Sequence, residues 1–237
     1  MKAHPHGSPP RAGTVTAAEM AARTLKKIRL EGADLVGLEW HPGQQVRVPV
    51  RGDGDDLTLR TYSIWDYDAE KGVMDLVVML HGNGPGSAWA EGLAAGDEAV
   101  VFGPQGSFVL NPRAQWHLFV GDETGSVALQ AMLRAVPAGQ VAMAVFEGDR
   151  PEDALPPLGE DDPTEWVFRE GGAPGAGSAM CRRLAELEFP EGPGCAYLAG
   201  EMSASLGMRD FLLKERGWKR MNIRCKTFWA KGKAGLT

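Results

Sequence analysis

A chain of 237 residues, 43% hydrophobic and 24% charged, is long enough to bury one large core or two modest ones. Its net charge of −6 argues against nonspecific nucleic-acid binding, and without a run of about eighteen apolar residues no membrane-spanning helix is expected. Cys181, Cys195 and Cys225 are too scattered for a disulfide framework or an iron–sulfur cluster, so a reducing compartment is expected and any redox centre must be a bound organic cofactor.

Residues 1–13 are rich in His, Pro, Gly and Arg and lack the apolar stretch of a secretory signal, which predicts a disordered lead-in to a cytoplasmic protein. From there to residue 112, short β-compatible runs at 24–30, 45–50, 57–64, 73–81 and 98–102 are broken by Gly, Pro and Asp. That is the pattern of a small antiparallel barrel, and it sets a first domain at 14–112.

Two stretches in this domain carry chemistry. Within 57–64, alternation places Arg60 and Tyr62 on one strand face, with Thr61 and Ser63 on the other. One face therefore offers a cation whose planar fork suits a pyrophosphate, beside an aromatic plane that can cover a ring system; Ser63 adds a hydroxyl. Downstream, the apolar strand over 73–80, expected to be buried on both sides, runs into Leu80, His81, Gly82, Gly84, Pro85, Gly86, Ser87 and Trp89. This reads as strand, glycine-rich loop and helix start, with Ser87 as N-cap and the helix dipole facing an anion. Taken together, the two stretches look like a flavin site.

Beyond residue 112, strands at 116–120, 141–146, 165–168, 196–199 and 222–228 alternate with helices at 127–136, 178–187 and 203–216. Such alternation predicts a parallel sheet with its ligand crevice at the carboxyl ends of the strands, and a second domain at 113–237. Gly121–Gly125 and Gly200–Ser203 fall at two such ends, where Thr124 and Ser203 are candidate N-caps.

The order Arg60-Thr61-Tyr62-Ser63, then Leu80-His81-Gly82-Asn83-Gly84-Pro85-Gly86-Ser87-Ala88-Trp89-Ala90, then Gly-Asp near 96 and Gly-Pro-x-Gly near 103, resembles the siderophore-interacting proteins. The likeness continues through Gly121-Asp122-Glu123-Thr124 and Ala199-Gly200-Glu201 to Phe228-Trp229-Ala230-Lys231-Gly232. It implies a ferredoxin-reductase-like architecture: an N-terminal FAD-binding β-barrel followed by a Rossmann-like domain for NADH or NADPH. The activity implied is cytoplasmic reduction of a ferric siderophore, with electrons passing from NAD(P)H through FAD. The positions that carry over are Arg60, Thr61, Tyr62, Ser63 and the Leu80-to-Trp89 segment for FAD, and Asp122, Glu123, Thr124, Gly200 and Glu201 for the nicotinamide nucleotide. The chain departs from the family at Gly125-Ser126-Val127, usually Ala-Leu-Pro, and at Ala230, usually Arg. In the loop 147–150, acids would favour a ribose diol and Arg150 a 2′-phosphate, leaving NADH and NADPH both open.

From Lys214 to Lys233 eight Lys and Arg face one acid, Glu215, which points to an anionic partner. Arg224, Lys226 and Lys231 are the cations expected to meet the siderophore. His81 reads as a loop residue, and His4, His6, His41 and His117 share no metal-ligand spacing with carboxylates, so iron enters as substrate. Two other classes share these motifs: a flavin oxidoreductase for a different acceptor, such as a quinone, free flavin or biosynthetic intermediate, and a non-catalytic flavin-binding module.

Overall fold

The computed structural model describes residues 8–52, 56–82 and 84–233. The chain divides into two compact units between Val109 and Leu110.

The first unit is a closed antiparallel barrel. In chain order its elements are β1 (Pro10–Ala22), β2 (Leu25–Glu31), β3 (Gln45–Arg51), β4 (Leu57–Asp68), β5 (Val73–Met79), α1 (Pro85–Gly92) and β6 (Glu98–Gln105), and the strands close in the order β1-β2-β5-β4-β3-β6. Alternation builds its core: Val46, Val48 and Val50 of β3 point inward while Gln45, Arg47 and Pro49 point out, and the interior continues through Ile28, Leu30, Ile64, Leu76 and Val101. Pro49 stands past the end of the β3–β6 register at Arg47, where β3 is paired only with β4 through Leu59, the edge-like setting in which a strand proline occurs. As expected, β5 is covered on both faces. Its one charged residue, Asp75, is buried and receives a two-pronged bond from Arg29 at 2.7 and 2.8 Å.

Two expectations for this unit need correcting. Residues 10–13, assigned to the lead-in, begin β1, which pairs with β6 from Pro10↔Phe102 to Thr14↔Glu98 and with β2 on its other side. Its Ala-, Gly- and Pro-containing sequence has weak β preference, and the strand forms because barrel closure supplies partners on both edges. The remainder of the lead-in, residues 1–7, lies outside the described residues. The strand expected over 57–64 continues as β4 to Asp68 past a register shift between Ile64 and Asp66.

The second unit comprises β7 (Trp116–Asp122), α2 (Glu123–Arg134), β8 (Val141–Gly148), β9 (Thr164–Phe168), α3 (Ala179–Glu186), β10 (Gly194–Glu201), α4 (Met202–Lys214) and β11 (Ile223–Trp229). The strands form a parallel sheet in the order β11-β10-β7-β8-β9. Leu118, Val120, Ala196 and Leu198 face α3 and α4 through Met180, Leu184, Ala204, Met208 and Leu212. The opposite face carries His117, Phe119 and Tyr197, with the Phe119 and Tyr197 rings stacked 4.9 Å apart. The strand order reverses between β7 and β10, and a doubly wound sheet of this kind binds its ligand beside that point.

Candidate functional site

In the first unit the two motif stretches meet at one glycine. Gly86 lies on the first turn of α1, and a Cβ there would stand 2.5 Å from Tyr62 Oη and 3.3 Å from Arg60 Cγ. Arg60 and Tyr62 thus share a face of β4, as alternation requires, and α1 closes against both. The Tyr62 ring stacks on Trp89 of α1 with centroids 5.5 Å apart and planes 13° apart. Arg60 donates through Nη1 to Thr58 Oγ1 at 2.8 Å and to the Leu59 carbonyl at 3.2 Å, which fixes its guanidinium on this face. The Tyr62 hydroxyl is buried without a hydrogen-bond partner among the described residues, and burial pushes its pKa up to about 12 against the pull of Arg60. An unsatisfied buried hydroxyl beside a guanidinium is a polar position shaped for a ligand. On the other strand parity Thr61 is exposed and Ser63 is buried.

The glycine loop leads from β5 into α1. Leu80 packs on the barrel core and its N–H donates to the Thr24 carbonyl at 2.7 Å. His81 is exposed, and Gly82 and Gly84 have φ of 72° and 83°, a region that favours glycine. Asn83 lies outside the described residues. Ser87 is not the N-cap: Gly84 holds that position with Pro85 following at the first helical residue, where a fixed φ and absent N–H cost nothing. Buried Ser87 instead accepts from His81 N at 3.1 Å and Gly82 N at 3.3 Å and donates to Glu91 Oε1 at 3.0 Å. Its hydroxyl ties the loop to the helix and so shapes the loop.

In the second unit the expected caps move as well. Asp122, ending β7, is the N-cap of α2, and Glu201, ending β10, is the N-cap of α4, in place of Thr124 and Ser203. Asp122 Oδ1 accepts from Thr124 N at 2.9 Å, Thr124 Oγ1 at 2.6 Å and Gly125 N at 3.0 Å; Oδ2 accepts from Glu201 N at 2.7 Å and Trp229 Nε1 at 2.8 Å. One carboxylate therefore joins the ends of β7, β10 and β11, and Trp229 of the Phe-Trp motif serves to hold it. Gly200, with φ of 133°, sits so close that a Cβ would lie 2.5 Å from the Asp122 carboxylate. Gly125 is equally constrained, since a Cβ there would press into the Ala199 backbone, which accounts for the departure from Ala at this position. Burial acts to raise the Glu201 pKa, but bonds from Ser203 Oγ, the Ala204 and Ser203 N–H groups and the Lys231 N–H outweigh it and hold the carboxyl below its usual value.

Glu123 is not presented to a ligand. It is buried and bonded to Arg169, whose Nη2 lies 2.5 Å from Glu123 Oε1 and whose Nη1 lies 3.0 Å from Glu147 Oε1. Burial pushes the Glu123 carboxyl up and Arg169 draws it down, with burial prevailing. For Arg169 burial favours the neutral form, but its two carboxylate partners hold its pKa above the usual value. Sequence reasoning missed Arg169. The available signal was an acid beside the carboxyl end of each of two strands of a parallel sheet, Glu123 after β7 and Glu147 near the end of β8, since carboxylates buried there require a cation.

The basic segment divides into two groups. Lys214 pairs with Asp210 at 3.2 Å, and Arg216 donates to the Leu187 carbonyl while its guanidinium stacks over Phe189 at 4.9 Å. These two are committed to the fold. Arg224 and Lys226 share one face of β11, Lys226 Nζ lies 5.0 Å from the Phe228 ring centre, and burial pulls the Lys226 pKa down to about 8. Lys231 is exposed in the turn after β11.

Residues 114–232 match the family described as siderophore-interacting protein, and residues 32–108 match the siderophore-interacting FAD-binding domain. The chain is 26% identical over 238 aligned residues to the ferric vibriobactin reductase ViuB of Vibrio cholerae, covering 90% of this chain and 86% of that protein. The crystal structure of a siderophore utilization protein from T. fusca superposes with a TM-score of 0.85 at 25% identity, covering 100% of this chain and 97% of the other. Phthalate dioxygenase reductase, at a TM-score of 0.75 and 18% identity over 94% of this chain and 70% of its own, shares the fold.

Proposed function

The chain belongs to the siderophore-interacting protein family, and on that footing we propose that it is a reductase that takes electrons from a nicotinamide nucleotide, passes them through FAD and delivers them to iron(III) held in a siderophore. The observation that carries the reading is the closure of Arg60 and Tyr62 on Gly86, which leaves a buried hydroxyl without a partner among the described residues and a fixed guanidinium beside a helix start. FAD supplies the conversion between two-electron and one-electron chemistry when bound. Arg60 and the glycines Gly82 and Gly84 would hold its diphosphate, and Tyr62, backed by Trp89, would supply an aromatic plane and a hydroxyl for its ring system. In the second unit, the turns at Gly121–Gly125 and Gly200–Ser203 flank the point of strand reversal and receive the nucleotide. Arg224, Lys226 and Lys231 draw in an anionic ferric siderophore. Iron leaves after reduction because Fe(II) binds hard oxygen ligands less tightly than Fe(III).

The purified protein should be yellow or should turn yellow on addition of FAD, bleach anaerobically with NADPH or NADH, and regain its colour on addition of a ferric siderophore. A protein that takes up no FAD, or one whose colour returns with quinones and oxygen but not with ferric siderophores, contradicts the proposal.

A further inference from the structure

Resting on the reading of the second unit as a nicotinamide-nucleotide domain, we propose that Arg150 selects the 2′-phosphorylated nucleotide, NADPH, over NADH. In a doubly wound sheet, the acid that binds a ribose 2′-hydroxyl stands about 20 residues beyond the first strand-to-helix turn, at the end of the next strand, and an Arg nearby serves a 2′-phosphate instead. Glu147, at the end of β8, occupies the place of that acid. It is 0% exposed, with Oε1 accepting from Arg169 Nη1 at 3.0 Å and Oε2 from Met180 N at 2.9 Å. Both oxygens are committed inside the protein, and a ribose diol cannot reach them.

The next acid, Asp149, is also engaged. Its Oδ1 accepts from Gly171 N at 2.8 Å, and Oδ2 lies 3.5 Å from Arg150 Nε. Arg150 itself is 64% exposed in its side chain, while its backbone N–H is anchored by Asp153 Oδ2 at 3.0 Å. Of the charged side chains in the loop 147–150, the one most open to solvent is therefore a guanidinium on a fixed backbone, with Asp149 beside it. Its planar fork suits a phosphate monoester and has nothing to accept from a diol.

The test uses the full-length protein and two readouts. Calorimetry with 2′,5′-ADP and 5′-AMP reads the subsite without flavin or electron transfer; 2′,5′-ADP should bind about 10- to 100-fold more tightly, and Arg150→Ala should abolish the difference without lowering the melting temperature. In anaerobic bleaching of bound FAD, NADPH should outperform NADH by a similar factor, falling toward parity in Arg150→Ala. Equal affinity for the two fragments, binding of neither, or a preference that survives Arg150→Ala overturns the assignment even where NADH bleaches the flavin. Selective fragment binding lost in Arg150→Ala, together with no bleaching by either nucleotide, supports the assignment and refutes the electron-donor part of the proposed function.

Discussion

Gly86, Tyr62 and Arg60 were legible in the sequence because strand alternation and a short glycine loop are local patterns. What no local pattern reveals is that the three groups converge, with the Tyr62 hydroxyl left without a partner among the described residues. Removing Arg60 by substitution with Ala should weaken FAD binding by about one to two decades, the loss of a charged contact of about 1.5 to 3 kcal/mol, read by flavin fluorescence titration. Unchanged affinity would contradict its role. Gly86→Ala should weaken FAD binding by pushing Tyr62 aside, and adding Tyr62→Phe, which removes the oxygen nearest the new Cβ, should restore part of the packing; a double-mutant cycle measures the coupling. Lys226 carries a pH signature. Since burial sets its pKa to about 8, its positive charge is present below that value and lost above it. The KM for an anionic ferric siderophore should therefore rise between pH 7 and pH 9, and Lys226→Met should flatten that rise. Arg169 escaped sequence reasoning because its partners Glu123 and Glu147 lie 46 and 22 residues away along the chain, and nothing near Arg169 marks it.

At the scale of elements, the sheet and its helices were readable from alternating strand and helix periodicity, but their junctions were not. Thr124 and Ser203 have the residue types expected of N-caps, yet the strands run on to Asp122 and Glu201, whose carboxylates take the caps. A fully buried strand that ends in an acid shows the same apolar pattern as one that stops earlier, so the boundary is set by tertiary hydrogen bonds. β1 was missed for the complementary reason, since its pairing with β2 and β6 outweighs a weak intrinsic preference. Breaking the junction should be costly. Arg169→Met leaves Glu123 and Glu147 buried without their cation and should destabilise the second unit by about 3–5 kcal/mol in urea unfolding. Because buried carboxyls without a cation have raised pKa values, the variant's deficit should shrink as pH falls and grow as pH rises through those values. A deficit below about 1 kcal/mol at neutral pH would show that the charges are solvated.

At the scale of the whole molecule, two units with separate cores carry separate parts of the proposed chemistry. The change from barrel-like to alternating composition near residue 112 was visible in the sequence, and the structure divides at Val109 and Leu110. The second unit also contains a titrating element at the amino ends of its strands, away from the carboxyl ends that carry the candidate site. His117, 1% exposed, donates through Nε2 to Gln140 Oε1 at 2.8 Å, and its Nδ1 lies 3.2 Å from Tyr197 Oη. Burial holds its pKa below the usual value despite the Gln140 bond, so the stability from keeping it neutral is fully present above about pH 6.5 and is lost as pH falls toward the folded value. Urea unfolding should show stability falling from pH 7 to pH 5, less steeply in His117→Gln. The central claim, that this family member moves electrons through FAD to siderophore iron, is tested most directly by an anaerobic titration. Protein carrying FAD is reduced by one equivalent of nucleotide, mixed with ferric siderophore and assayed with a ferrous chelator. The account predicts recovery of the oxidised flavin spectrum with two Fe(II) trapped per FAD; a flavin that stays reduced in excess ferric siderophore, yet recovers with a quinone, would contradict it.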